Sequence, residues 1–131
     1  MQGKLDHVAI AVRSLDEAAR VYAQLGLGAL RTCTMDEMGV RVGFLAAGAS
    51  QIELLEPLRP DSVVGKFLAR RGEGLHHICL EVDDIEASLA ELAAQGVELI
   101  DRTPRQGAEG RVAFIHPRAT HGVLIELVQK H

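Results

Sequence analysis

GLHHICLEVDD, residues 74–84, restates the opening LDHVAIAVRSLDEA, residues 5–18: in each, a His stands inside a short apolar run, a polar break follows, and a helix start comes next. His7 and His77 are 70 positions apart, and the parallel continues into two further apolar runs, QIELLEP around Glu53 and GVLIELVQ around Glu126. The chain therefore reads as a duplication. Each half opens with a His in one apolar strand and closes with a Glu in another.

Residues 5–12 are so uniformly apolar that periodicity cannot assign them, but their length and their Val and Ile content favour a strand. A strand puts His7, Ala9 and Ala11 on one face and Val8, Ile10 and Val12 on the other, so small residues leave room beside the His. In the second copy His77, Cys79 and Glu81 share a face. Glu53 shares one with Gln51 and Leu55, and Pro57 ends that strand by removing a donor. Ser14 with Glu17 has the spacing of a capping box, and Leu15, Ala18, Ala19, Tyr22 and Leu25 form the stripe of a helix stopped by Gly26. Further strands are expected at 30–34, 40–46 and 51–55. Asp61 or Ser62 caps a connector helix. The second half repeats the order, with Asp83 and Glu86 opening its helix and strands at 97–101, 111–116 and 123–128. Each half is thus βαβββ, and such a unit leaves one sheet face to be covered. The organisation expected is one domain over 1–131, made of a module at about 4–57, a connector helix at about 61–71 and a second module at about 74–129.

Composition narrows the function classes. With 131 residues, 47% of them hydrophobic and 24% charged, the chain has the makings of one globular core. A formal charge of -4 argues against a nucleic-acid partner, and one Tyr, three Phe and no Trp offer no platform for stacked bases. Cys33 and Cys79 lack CxxC spacing and read as reduced thiols of a cytoplasmic protein. No leader and no membrane-spanning apolar run is apparent, so no membrane partner is expected. There is no GxSxG, HExxH, zinc-finger spacing or phosphate-binding glycine loop.

The chemistry-bearing residues are His7, Glu53, His77 and Glu126. A carboxylate buried without a partner costs several kcal/mol, so two of them in apolar strands call for a compensating cation or proton. A divalent ion held by two imidazoles and two carboxylates compensates both, and such a mixed N and O set suits Co, Mn, Ni, Fe or Zn. Taken singly, each His is more often a core residue satisfied by backbone, and each Glu an edge carboxylate in solvent or beside an Arg. His76, Glu56 and Glu81 are rivals, because a one-residue slip exchanges the faces. Lys66, Arg70 and Arg71, with Arg102, Arg105, Arg111 and Arg118, could meet a phosphorylated substrate; solvated surface charge is the plainer reading.

Three stretches are familiar: DHVAIAV, IELLEPLRPDSVVGKFLARRGEGLHHICLEVDDI, and RVAFIHPRATHGVLIEL. Over essentially its whole length the chain resembles the vicinal-oxygen-chelate superfamily, and within it the methylmalonyl-CoA epimerase family. The resemblance implies an α+β fold of two paired βαβββ modules forming a cupped mixed sheet with a metal inside, usually in a homodimer. It implies His7, Glu53, His77 and Glu126 as ligands of a divalent ion, cobalt first, with manganese, nickel, zinc or magnesium as alternatives. The implied activity is epimerisation of methylmalonyl-CoA between its 2R and 2S forms through a metal-stabilised enolate. The resemblance points to Glu126 as one acid/base group, with Glu53 a candidate for the other, and Lys66, Arg70, Arg71 and Arg118 are the nominated contacts for the acyl-CoA tail. The chain departs from the pattern at Val42, where some relatives carry a Glu that works opposite Glu126; Glu53, Gln51 through a water, Glu37 and His116 are the alternatives. Two His and two Glu are also the set of glyoxalase I, and non-enzymatic binding proteins share the fold, so both stand as alternative readings.

Overall fold

The computed structural model describes residues 1–131, which divide into two compact units: residues 7–76, and residues 77–131 together with 1–6. The first unit holds β1 (Lys4–Ala11) from His7 onward, α1 (Leu15–Ala23), β2 (Arg31–Met35), β3 (Val40–Ala47), β4 (Ser50–Pro57) and α2 (Val63–Arg71). Its strands run in the order β2-β3-β4-β1. β1 pairs parallel with β4, setting His7 against Gln51 and Ala9 against Glu53. β3 pairs antiparallel with β4, setting Phe44 against Glu53. Paired residues share a face, so His7, Gln51, Glu53, Val42 and Phe44 all leave the same side of the sheet.

Packing decides how much of that side is open. Val64 and Leu68 of α2 pack onto Ala9, Ala11, Val42 and Leu55, so the room left by the two alanines is taken up by the connector helix. Gly65 lets the first turn of α2 lie close against the turn that precedes it: a Cβ there would meet the carbonyl oxygens of Pro60 and Arg59 at 2.6 and 2.7 Å. The opposite side is covered by α1, whose Leu15 and Ala19 pack with Val12, Leu45 and Leu54. Ser14 Oγ accepts from the Glu17 amide at 3.2 Å as expected, and Glu56 Oε2 accepts from the Leu15 amide at 2.8 Å. Leu25 does not join the stripe; the helix ends at Ala23 and Leu25 is 65% exposed.

The second unit holds β5 (Gly74–Glu81) from His77 onward, α3 (Ile85–Ala94), β6 (Arg105–Gln106), β7 (Gly110–Ile115), a 3-10 turn (Pro117–Thr120) and β8 (Ile125–Lys130). Its strands run β5-β8-β7-β6. β5 pairs parallel with β8, setting Cys79 against Glu126, and β7 pairs antiparallel with β8, setting Phe114 against Glu126. In both units, then, the Glu strand lies parallel to the His strand and sets its Glu opposite a Phe. The duplication read from the sequence is a duplication of register as well as of order.

Two expectations are corrected. Asp84, not Asp83, caps α3: it has extended backbone and its carboxylate accepts from the Ala87 amide at 3.0 Å. The strand expected at 97–101 is reduced to a single bridge between Leu99 and Ile115, and β6 contributes only two residues further on. The cause is local. The amides of Ile100 and Asp101 both donate to the Phe114 carbonyl, while the Asp101 carboxylate takes the Phe114 amide at 2.9 Å, so a side chain stands where a ladder partner would. Pro104, just beyond, has no N–H to resume the ladder.

Candidate metal centre

Each unit buries one imidazole against one carboxylate. In the first, His7 Nδ1 lies 2.9 Å from Glu53 Oε2; in the second, His77 Nε2 lies 3.1 Å from Glu126 Oε1. The four residues are 6–8% exposed, so strand phase correctly placed all four inside. Phe44 stands beside Glu53, and the ring of Phe114 meets His77 edge-on at 5.7 Å, which gives each pair an apolar flank.

Two chemistries produce a separation near 3 Å. A hydrogen bond needs a proton on the imidazole nitrogen. Joint ligation needs a lone pair there instead, and donors about 2.1 Å from one ion at a right angle are about 3.0 Å apart. The geometry therefore fits a metal, and His77 and Glu126 place ligand atoms close enough to serve one. The donor chemistry fits too: in each unit an imidazole and a carboxylate offer the mixed N and O donors that divalent first-row cations take.

Two of the rivals have other work. Glu56 caps α1, and His76 rests against Phe67 with ring centroids 4.9 Å apart. Among the alternatives to Val42, which is itself buried, Glu37 is exposed in the turn between β2 and β3. His116 Nδ1 accepts from the Arg118 amide at 3.0 Å, so that lone pair is engaged. Gln51 differs: its Oε1 is buried and accepts no hydrogen bond.

The cations nominated for a phosphorylated tail are exposed. Lys66, Arg70 and Arg71 lie along α2, with the Arg71 guanidinium 5.8 Å from the Phe67 ring centroid. Arg118 is held by Glu98 through a two-pronged contact of 3.1 and 2.7 Å. This hydrogen-bonded pairing lowers the Glu98 carboxyl below its ordinary range and raises the Arg118 guanidinium. Arg105 pairs with Asp101 at 3.2 Å and stands over Phe114.

Sequence reasoning passed over one buried charge. Asp6 is 6% exposed and its Oδ1 lies 2.6 Å from Lys130 Nζ. The hydrogen bond to Asp6 is the main reason the Lys130 ammonium is raised above its ordinary value. An Asp inside an apolar strand, in the opposite phase to His7, was the available signal.

Comparison with known proteins fits this geometry. Residues 6–114 match the family model of the Glyoxalase/Bleomycin resistance protein/Dioxygenase superfamily. The chain is 48% identical over 128 residues to an uncharacterized protein, YqjC, of Bacillus subtilis, covering 96% of this chain and 91% of that protein. It is 42% identical over 131 residues to the mitochondrial methylmalonyl-CoA epimerase of Dictyostelium discoideum, covering 98% of this chain and 79% of the relative. A solved methylmalonyl-CoA epimerase in complex with methylmalonyl-CoA and NH4+ superposes with a TM-score of 0.92 at 40% identity, over 99% of this chain and 96% of the other. With its duplicated βαβββ order and its two buried His–Glu pairs, the chain belongs to the Glyoxalase/Bleomycin resistance protein/Dioxygenase superfamily.

Proposed function

We propose that the protein is a methylmalonyl-CoA epimerase that interconverts the 2R and 2S forms of its substrate, and that His7, Glu53, His77 and Glu126 together hold one divalent cation. One observation carries the activity: the likeness to methylmalonyl-CoA epimerases runs over nearly the whole chain, at 42% identity in sequence and a TM-score of 0.92 in structure. The buried His–Glu pair in each unit supports the ligand set. Cobalt is the first candidate ion, with manganese, nickel, zinc and magnesium behind it.

The hydrogen to be moved lies on a carbon flanked by a thioester and a carboxylate. A bound divalent cation supplies Lewis-acid stabilisation of the negative charge that deprotonation places on the thioester oxygen. Epimerisation needs a proton acceptor on one side of the flattened carbon and a donor on the other. Glu126 takes the first role and Glu53 the second, since they are the two buried carboxylates at matching places in the duplicated register. Phe114 and Phe44, paired across the strands from these two residues, keep water from their flanks. Lys66, Arg70, Arg71 and Arg118 are the contacts for the CoA phosphates, and Arg118 must leave Glu98 to serve.

We read the enzyme as a cytoplasmic homodimer, on the family pattern and on two cysteines that form no disulfide; no helix is long and apolar enough to cross a membrane. A second reading, glyoxalase I chemistry, is favoured by one feature, the donor set of two His and two Glu. Incubation with methylmalonyl-CoA in deuterated water separates the two. Deuterium should enter at C2, be lost on chelation and return with Co2+; absence of exchange with metal restored, alongside turnover of a glutathione hemithioacetal, overturns the epimerase reading.

A further inference from the structure

We propose that Gln51 is a positioning residue of the metal centre, its amide oxygen holding a solvent molecule beside the cation; this rests on the metal-centred reading above. Gln51 stands directly across the parallel β1–β4 pair from His7 and two residues from Glu53, so the three side chains share a face. Its Oε1 is enclosed by protein and receives no hydrogen bond. A carbonyl oxygen can only accept, so it needs an N–H, an O–H or a cation.

No neighbour on that face donates to it. His7 Nδ1 is turned to Glu53, and Ala9, Leu55 and Phe44 are apolar. The reacting end of the substrate, a thioester and a carboxylate, also presents acceptors only. A donor that enters with the cation satisfies it, and the smallest is water, whose O–H bonds a nearby divalent ion makes stronger donors. This explains an otherwise costly feature. An acceptor buried without a partner in the metal-free chain finds one when the site fills.

The test separates stability from affinity. Gln51→Met keeps the length of the side chain and removes the acceptor. Thermal unfolding is measured on the metal-free full chain, and Co2+ binding by titration calorimetry, with no substrate present. Metal-free Gln51→Met should unfold about 2–4 °C above wild type, because an unsatisfied acceptor is gone. Its Co2+ affinity should fall about 10-fold, the loss typical when a group supporting a metal's ligands is removed. Gln51→Glu, which keeps an acceptor and adds charge, should bind Co2+ more tightly. Co2+ affinity within twofold of wild type in Gln51→Met overturns the proposal, and so does a variant weakened in both properties, since packing alone accounts for that. If the wild-type chain binds no Co2+, the metal-centred reading falls and this inference with it; if wild type binds and Gln51→Met binds equally, only the role of Gln51 falls.

Discussion

Asp6 Oδ1 and Lys130 Nζ lie 2.6 Å apart, joining the strand that continues into His7 to the strand that carries Glu126. Asp6 is almost fully buried, whereas about a third of the Lys130 side chain is exposed. Removing the lysine strands a buried carboxylate. Lys130→Met should cost roughly 2 kcal/mol, below the range for a fully buried pair because solvent reaches the ammonium.

The pH dependence of that pair has a definite sign. The Lys130 ammonium is raised by Asp6, so its contribution is complete below the ordinary lysine value and is lost as pH climbs through the higher folded value. Denaturant midpoints of wild type and Lys130→Met should therefore differ by a constant amount between about pH 7 and 9 and converge above about pH 10.4. A gap that widens in alkali would show that the pair is not the source of the stability.

His77 and His76 are adjacent, yet only His77 is buried against Glu126. His77→Ala should lower Co2+ affinity on the order of 100-fold or more, while His76→Ala, which loses an edge contact with Phe67, should stay within about threefold. Calorimetric titration of both variants decides it. Equal losses would put the ligand assignment on the wrong face of β5.

Two carboxylates with opposite roles predict a split between exchange and inversion. Glu53→Gln retains a coordinating oxygen but cannot carry a proton, so interconversion should fall about 10²–10⁴-fold. Glu126 should still wash the C2 hydrogen of one epimer into solvent without inverting it. Chiral analysis alongside deuterium uptake reads both. Full epimerase activity in Glu53→Gln would transfer the second role to another group.

The Glu98–Arg118 pair sits on the surface, and the depressed Glu98 carboxyl means its stabilisation is present above about pH 4.5 and lost as pH falls through the lower folded value. Glu98→Gln frees the guanidinium. If Arg118 meets a CoA phosphate, KM for methylmalonyl-CoA should fall two- to fivefold at low salt with kcat unchanged, and the gain should shrink at high ionic strength. An unchanged KM at low salt would remove Arg118 from the CoA contacts.

Much of the site was legible because strand alternation is a local property. Once residues 5–12 and 51–55 are strands, the faces of His7 and Glu53 follow with no knowledge of what lies opposite. The same local logic placed Ser14 at the start of α1 and Val64, Phe67 and Leu68 on the packed side of α2. It failed at 97–101, where a nonlocal bond between the Asp101 carboxylate and the Phe114 amide displaces the ladder.

The sequence by itself determined the duplication, the strand phases and the four buried ligand candidates, since each is a matter of spacing along the chain. Only the tertiary structure decided that Glu56 caps α1, that Glu98 holds Arg118, that Lys130 answers Asp6 and that Gln51 keeps a buried oxygen without a donor. Those outcomes depend on which polar atoms come within about 3 Å after distant segments pack, a distance condition that no local periodicity encodes.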